Sequence, residues 1–172
     1  MNCNPPLRTA CLVVLVGVPA SGKSTWARRN ARGAVVIGQD ELIDAITPGG
    51  FDHAYRPVYA AAEDAVARAG LRGRHTVIVD RTNRTRAHRK RWLDLAREAG
   101  CPAVAVVMAA TEEECRERNA RRTDHRRLSD ERMQRMLAAF EPVAKEEGFE
   151  RVYFDSTTTV SDIVSRQEVL IA

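Results

Sequence analysis

No part of this sequence limits the fold as strongly as residues 17–25, Gly-Val-Pro-Ala-Ser-Gly-Lys-Ser-Thr, which have the spacing Gly-x4-Gly-Lys-Ser. Residues 11–16, just before them, form an apolar run without polar alternation, which is typical of a strand buried on both faces. After the glycine-rich turn, the composition of residues 23–32 favours a helix. Such a turn points its backbone N–H groups at one spot, where the helix N-terminus adds a positive field. The pattern therefore predicts a phosphate-binding loop, called the P-loop (residues 17–25) below.

Side chains of the P-loop indicate which phosphate compound is bound. The ammonium group of Lys23 is expected to reach the β- and γ-phosphates of a nucleoside triphosphate, and the hydroxyl of Ser24 is expected to ligate magnesium. We therefore expect ATP and Mg²⁺ as cofactors. The predicted nucleotide-binding residues are Gly17, Ala20, Ser21, Gly22, Lys23, Ser24 and Thr25.

The remainder of the chain alternates short apolar runs with helical segments. The predicted strands are residues 11–16, 34–38, 75–79, 103–108 and 151–154. This alternation predicts an α/β, three-layer P-loop fold, with a five-stranded parallel sheet, helices on both faces and a helical lid. We expect residues 1–9 to form an irregular leader, and residues 10–172 a single domain with its lid at about 116–130.

One predicted helix, over residues 55–71, carries small apolar residues at steps of three and four. This spacing favours an amphipathic helix with a small-residue face. That face consists of Val58, Ala61, Ala62, Ala65, Val66 and Ala69.

Two aspartates directly follow predicted strands. Asp80 is the candidate for the carboxylate that orients magnesium or its water, because ligands of open α/β sheets bind at the carboxyl ends of the strands. Asp40 occupies the corresponding place after another strand, where a carboxylate would accept the proton of an attacking hydroxyl. Aspartate is also a frequent helix N-cap, so simple capping is the alternative for each residue.

Arginines near the predicted lid suggest how the chain would close over a triphosphate. Arg118 and Arg122 lie one helical turn apart, so they face the same side of a helix that runs into a polar loop. One or both would neutralise charge on the transferred phosphoryl group. Ordinary exposed arginines on a surface helix are the alternative.

A second basic stretch contains no acidic residue; its members are Arg81, Arg84, Arg86, Arg89, Lys90 and Arg91. Guanidinium groups pair with phosphate oxygens, so clusters of this kind suit an anionic partner such as polyphosphate or nucleic acid. The open alternative is a solvated helix face.

Composition narrows the class of protein. With 44% hydrophobic and 29% charged residues, the chain matches globular domains rather than disordered or membrane chains. Its apolar runs are too short to span a bilayer and no signal peptide is evident, so we expect no membrane partner and a cytoplasmic location. The four cysteines and four histidines lack metal-ligand spacing, so we expect no structural metal and assign the histidines no catalytic role.

Four segments occur together in the order found in one family: residues 17–27, Gln39-Asp40-Glu41, Val79-Asp80-Arg81-Thr82-Asn83 and Arg118-Asn119-Ala120-Arg121-Arg122. On these segments the chain resembles the polynucleotide 5′-kinase-like branch of the P-loop kinases. It is also similar to the zeta-toxin kinases and to many bacterial ATP-binding proteins. The likeness extends over about residues 12–154.

The resemblance implies a core like that of nucleoside monophosphate kinases, with ATP on the P-loop. It implies that Asp40 is the general base facing the acceptor hydroxyl, and that Arg118 and Arg122 bind the donor phosphates from the lid. Thr82 and Asn83 match a Thr-Asn pair beside the acceptor and the metal. The family usually places an arginine three residues after this aspartate, where it holds the acceptor's phosphate. Here that position is Ile43, which removes a charge-assisted contact.

Three hypotheses of function follow. The first is an ATP- and Mg²⁺-dependent kinase that phosphorylates a hydroxyl, with a 5′-OH of DNA or RNA as the first acceptor to test. The second keeps this chemistry but takes a small metabolite, a sugar nucleotide or an antibiotic as acceptor, consistent with Ile43. The third is an ATP-binding switch with slow hydrolysis that acts through a protein partner. Steep salt dependence of acceptor binding would favour a polynucleotide over a small neutral acceptor.

Overall fold

The computed structural model describes residues 10–122, 126–154 and 159–163. Its five strands form one sheet in the order β2-β3-β1-β4-β5, and every neighbouring pair is parallel. The strands are β1 (Leu12–Val16), β2 (Ala34–Gly38), β3 (Thr76–Asp80), β4 (Ala103–Val107) and β5 (Arg151–Tyr153). The helices are α1 (Lys23–Asn30), α2 (Gln39–Ile46), α3 (Arg56–Arg72), α4 (Arg86–Glu98), α5 (Glu112–Ala120) and α6 (Asp130–Ala138). The predicted five-stranded parallel α/β fold is confirmed.

Strand β1 is central and completely buried, and its alternate side chains enter two separate cores. Leu12, Val14 and Val16 pack with residues of α3 and α4 on one face of the sheet. Val13 and Leu15 pack with Trp26 and other residues on the opposite face. Because both faces are covered, the strand reads as a continuous apolar run, as the sequence indicates.

The register of the sheet brings the ends of β1, β2 and β3 to one edge. Gly38 at the end of β2 pairs with Asp80 at the end of β3, and Val16 at the end of β1 pairs with Val107 of β4. The segments that follow these strands carry the P-loop, Asp40 and Asp80. Parallel pairing therefore collects residues that are distant in sequence at the carboxyl edge of the sheet.

Helix α3 does not bury its small-residue face. The predicted helix is present, but Val58 is 47% exposed and Val66 is 37% exposed, so its small-residue face is not the side that packs against the protein. The side that packs against the protein instead carries Tyr59, Glu63, Ala67, Gly70 and Leu71.

Two contacts explain why α3 packs through this other side. Neither contact can be predicted from the spacing of apolar residues. Glu63 is buried because its carboxylate accepts hydrogen bonds from Arg81 (2.6 Å) and Arg91 (3.0 Å). Gly70 lies so close to the sheet that a Cβ there would be 2.7 Å from a methyl carbon of Val77. Ion pairing and close helix–sheet approach therefore decide the orientation of the helix.

A buried arginine joins α4 to the segment after α6. Arg89 is fully buried and forms a bidentate pair with Glu147, at 2.6 Å and 2.7 Å. Its guanidinium also donates to the backbone carbonyls of Asn83, Glu141 and Pro142. This residue belongs to the second basic stretch, and its contacts are structural.

We expect Arg89→Leu to lower the free energy of unfolding by about 3–5 kcal/mol. The buried Glu147 carboxylate would lose its buried charged partner and keep the Ala144 amide as a donor, and three backbone carbonyls would lose the Arg89 donor. Urea denaturation measures this loss. The neighbouring variant Lys90→Leu is the control, since Lys90 is exposed and pairs only at the surface with Asp94, and we expect it to change stability by less than about 0.5 kcal/mol. A loss below about 1 kcal/mol for Arg89→Leu would contradict this account of the network.

Two observations bear on the expected environment of the protein. Cys11, Cys101 and Cys115 are free thiols, whereas Cys3 lies outside the described residues. No helix within the described ranges is both long enough and apolar enough to cross a bilayer.

Candidate active site

A cleft of about 1730 Å³ opens at the carboxyl edge of the sheet. Its lining residues come from the P-loop, from α2 and the start of α3, and from α5 and α6. This volume exceeds the roughly 300–1,000 Å³ typical of a site for one small ligand. The cleft therefore has room for a nucleotide and a second substrate.

Backbone geometry shapes the P-loop for an anion. Gly22, the residue before α1, has φ 105°, and Ala20 has φ 64°, so both adopt left-handed conformations that let the chain turn tightly. Gly17 permits a close approach, since a Cβ there would lie 2.5 Å from the Ser21 hydroxyl oxygen. The turn leads directly into the N-terminus of α1, where backbone N–H groups lack helical partners.

Lys23 lies buried at the base of this turn. Its ammonium group donates hydrogen bonds to the carbonyl of Val18 (2.7 Å) and to the hydroxyl of Ser21 (3.3 Å). Burial lowers the pKa of Lys23 from 10.5 to about 8, although the nearby carboxylate of Asp80 acts to raise it. The P-loop therefore holds a desolvated cation whose charge a bound phosphate would stabilise.

Nucleotide affinity should consequently fall as the pH rises through about 8. A bound polyphosphate raises the pKa of Lys23 from about 8, so binding above this pH requires uptake of a proton. We expect the Kd for ATP to increase roughly tenfold between pH 7.5 and pH 9. Isothermal titration calorimetry in buffers of different ionisation enthalpy measures both the affinity and the proton uptake.

The control for this pH dependence is Lys23→Arg, since a guanidinium stays protonated throughout this range. Any ATP binding that this variant retains should vary little with pH. An unchanged Kd in the wild-type protein across the same range would show that Lys23 does not carry the effect.

Ser24 and Asp80 meet at the start of α1. The Ser24 hydroxyl hydrogen-bonds to the Asp80 carboxylate. Burial raises the pKa of Asp80, whereas this hydrogen bond and the charge of Lys23 lower it. A hydroxyl and a carboxylate are oxygen ligands of the kind that Mg²⁺ takes beside phosphates, so the two residues fit the predicted metal. In the described part of the chain, no group of three His, Cys, Asp or Glu side chains is arranged to hold a metal ion alone.

Asp40 lies in the first turn of α2 and borders the cleft. Its side chain is 55% exposed, and Arg126 from the lid lies 3.5 Å from one carboxylate oxygen. The N-cap of α2 is Gly38 and that of α4 is Thr85, so the capping alternative is wrong for both Asp40 and Asp80. The Asp40 carboxylate is close enough to Lys23 to influence its titration.

Thr82 and Asn83 lie beside the P-loop, but their contacts are with the protein itself. The carbonyl of Thr82 accepts a hydrogen bond from the Gly17 amide (3.1 Å). The Asn83 side chain is buried, donates to the carbonyl of Leu15 (2.8 Å) and accepts from the Trp92 indole (3.0 Å). Asn83 therefore links β1 to Trp92 just before the P-loop. Its side-chain amide is used in these hydrogen bonds and is not available to an acceptor substrate in this arrangement.

The arginines of the predicted lid lie on α5 and on the segment after it. Arg118 and Arg122 both line the cleft, and a Cβ added to Gly22 would lie 4.0 Å from an Arg118 guanidinium nitrogen. Asn119 lies between them in the sequence. Its side chain donates a hydrogen bond to the Leu128 carbonyl (2.8 Å) and accepts one from the Leu128 amide (3.0 Å), which ties α5 to the segment before α6. Residues 123–125, also in the predicted lid, lie outside the described ranges.

The structure adds Arg56, Glu63, His88 and Arg126 to the cleft residues that sequence reasoning selected, and it places Arg84 of the second basic stretch in the cleft lining. Arg84 and Arg126 each fall within basic segments, which was a usable signal. Glu63 carried none, because a single glutamate in a helix gives no indication of burial.

Comparison with known proteins identifies the family. The model of the AAA domain family matches residues 12–143. The bifunctional polynucleotide phosphatase/kinase of Schizosaccharomyces pombe is 28% identical over 146 residues, which cover 82% of this chain and 32% of that protein. The chain thus spans about a third of the length of this curated relative.

Solved structures agree on the fold. A candidate kinase from Chloroflexus aurantiacus superimposes with a TM-score of 0.69 and 20% identity, over 95% of this chain and 98% of that chain. A gluconokinase from Sinorhizobium meliloti 1021 superimposes with a TM-score of 0.55 and 23% identity, over 94% of this chain and 90% of that chain. The resemblance to polynucleotide kinase-like P-loop kinases is confirmed, and the chain belongs to the AAA domain family with the fold of a P-loop kinase.

Proposed function

We propose that this protein is a phosphotransferase that uses ATP and Mg²⁺ to phosphorylate a hydroxyl group, with a polynucleotide 5′-OH as the first candidate acceptor. The observation that carries this proposal is the position of Asp40. Its exposed carboxylate borders the same cleft as Lys23 of the P-loop and the arginines of the lid. A nucleotide-binding protein without an acceptor has no use for a base at that place.

The reaction follows from these positions. P-loop amides and Lys23 hold the β- and γ-phosphates, and Asp40 accepts the proton of the acceptor hydroxyl. The acceptor oxygen forms a bond to the γ-phosphorus as the bond from that phosphorus to the bridging oxygen breaks, and ADP leaves. Arg118 and Arg122 neutralise charge on the transferred group.

Ser24 and Asp80 are the residues that would hold Mg²⁺, as their oxygen chemistry and hydrogen bond indicate. When bound, Mg²⁺ supplies positive charge to the phosphate oxygens. Asp80 acts here as an orienting carboxylate, while the proton transfer belongs to Asp40.

A nucleic-acid acceptor is supported by the Schizosaccharomyces pombe relative and by an exposed aromatic ring in the cleft. The Schizosaccharomyces pombe relative is described as a polynucleotide kinase as well as a phosphatase. Phe51, which lines the cleft, is 47% exposed, and its ring contacts those of His53 and Tyr59. An aromatic ring of this kind offers a surface on which a base can stack.

One experiment separates this proposal from its alternatives. The protein is incubated with γ-labelled ATP and, in parallel, 5′-OH DNA, 5′-OH RNA, nucleosides and a pool of sugars and other metabolites. We expect label in the 5′-OH polynucleotides. Label only in a small metabolite would favour the second acceptor class, and release of phosphate without any labelled product would favour a switch and overturn the proposed transfer.

A further inference from the structure

A group of basic side chains lines part of the cleft around His88. They come from two separate elements, the start of α3 and the segment from β3 into α4. Those that line the cleft are Arg56, Arg81, Arg84, His88 and Arg91.

Two of these cations are already neutralised within the protein. Arg81 pairs with Glu63 at 2.6 Å, and Arg91 pairs with Glu63 at 3.0 Å and with Asp64 at 2.5 Å. Glu63 therefore serves two guanidinium groups with one buried carboxylate. With Asp64, the two carboxylates balance the charges of Arg81 and Arg91.

Arg56 and Arg84 differ from Arg81 and Arg91 in their ion pairing. Neither has a carboxylate within 4.0 Å among the described residues. The Nε atom of Arg84 is buried and meets no hydrogen-bond acceptor in the described ranges. A buried guanidinium nitrogen without an acceptor carries a desolvation cost, which an anion in the cleft would relieve.

The pKa of His88 is sensitive to the positive charges around it. Burial lowers the pKa of His88, and the charges of Arg84, Arg81 and Arg56 lower it further. The charge of Glu141 acts to raise this pKa, and its carboxylate accepts a hydrogen bond from the Arg86 amide (2.6 Å) at the start of α4. The uncompensated charge of this corner is therefore positive.

Helix α2 contributes no cation to this part of the cleft. Ile43, on the same helix as Asp40, is apolar and buried. The basic side chains that line the cleft therefore come from other elements, among them α3, α4 and the segment of Arg126, which lies 3.5 Å from Asp40.

We propose that Arg56, Arg84 and His88 form a binding site for a phosphate group of the acceptor, so that the enzyme selects a phosphorylated acceptor over a neutral one. This inference rests on the proposed transfer to a hydroxyl. The ligand chemistry is a phosphate ester with a free hydroxyl a few bonds away, as in a nucleoside 3′-phosphate or in the 5′-OH end of a nucleic acid. Guanidinium groups hold such an ester by charge-assisted hydrogen bonds.

Binding of matched probes tests the site without relying on turnover. A non-hydrolysable ATP analogue first fills the P-loop, and adenosine 3′-monophosphate, adenosine and a 5′-OH dinucleotide are then titrated. We expect both phosphorylated probes to bind the wild-type protein roughly 10- to 100-fold more tightly than adenosine. Arg84→Gln should remove most of this preference, and Arg84→Lys should retain part of it.

The control variant is Lys90→Gln, which removes an exposed cation of α4 that pairs with Asp94. We expect it to keep the full preference for the phosphorylated probes, and thermal melting checks that every variant is folded. Preference for both the monophosphate and the dinucleotide supports the site, and their ratio shows whether a single nucleotide or a chain end fits better.

Several results would overturn the inference. Equal affinity of the wild-type protein for adenosine and its 3′-monophosphate would show that no phosphate site exists. An undiminished preference in Arg56→Gln/Arg84→Gln would place the phosphate elsewhere. If ATP-dependent transfer occurs without any phosphate preference, only this inference fails, whereas failure to bind the ATP analogue removes the proposed function and this site with it.

Discussion

Asp40→Asn is expected to reduce phosphoryl transfer by about 10²- to 10⁴-fold while nucleotide binding is retained. The asparagine amide has the size of the carboxylate but cannot accept the proton of the acceptor hydroxyl. Because the Asp40 side chain is 55% exposed and is not the N-cap of α2, this substitution should leave the fold intact. Initial rates with the best acceptor, together with ATP affinity by calorimetry, measure the two effects separately.

Asp44→Asn provides the matched control for this change. Asp44 lies one turn further along α2, is exposed and also lines the cleft, so the variant removes the same charge from the same helix. We expect it to alter the rate by only a few fold. If Asp40→Asn keeps the full rate of transfer, or if Asp44→Asn is equally damaged, Asp40 is not the base.

Lys23→Met is expected to weaken ATP binding by about 100-fold or more and to abolish detectable transfer, because the donor phosphates lose their charged partner. The nucleotide-free protein should be affected quite differently. Lys23 is buried at the base of the P-loop, and its desolvated charge is a cost in the absence of phosphate. A methionine of similar length removes that cost, so we expect the melting temperature without nucleotide to stay the same or to rise.

The opposite response of binding and stability makes this prediction specific. Lys90→Met removes an exposed ammonium group and should change neither ATP affinity nor melting temperature noticeably. A Lys23→Met protein that is unfolded would show that the hydrogen bonds of Lys23 to Val18 and Ser21 are structural. One that binds ATP normally would remove the P-loop from the mechanism.

The two basic stretches illustrate how far charge patterns can be interpreted without coordinates. Both look alike in the sequence, yet Arg89 is enclosed by Glu147 and backbone carbonyls, whereas Arg118 and Arg122 line the cleft. Arg84, only a few residues from Arg89, has a buried nitrogen without an acceptor in the described chain. Arg118 also pairs with a carboxylate, that of Glu114, but this pair is about half exposed, whereas the Arg89–Glu147 pair is buried. Burial of the pair, and not the density of arginines, separates the structural cation from those available to a ligand.

Short-range sequence patterns were sufficient to predict the fold of this protein. The P-loop, the buried strands and the order of strands and helices could be predicted because each depends on neighbouring residues, through glycine conformation, apolar runs and helix spacing. The places of Asp40 and Asp80 followed as well, since Asp80 ends β3 and Asp40 comes two residues after the end of β2. These features require no knowledge of which side chains meet across the fold.

Tertiary structure alone decided the rest. The side of α3 that is buried depends on Glu63 meeting Arg81 and Arg91, which are far from it in sequence, and on Gly70 approaching β3. The role of Asn83 depends on its distance from Leu15 and Trp92. Hydrogen bonds and ion pairs between distant segments leave no periodic trace in the sequence, because one residue on each side is enough to form them.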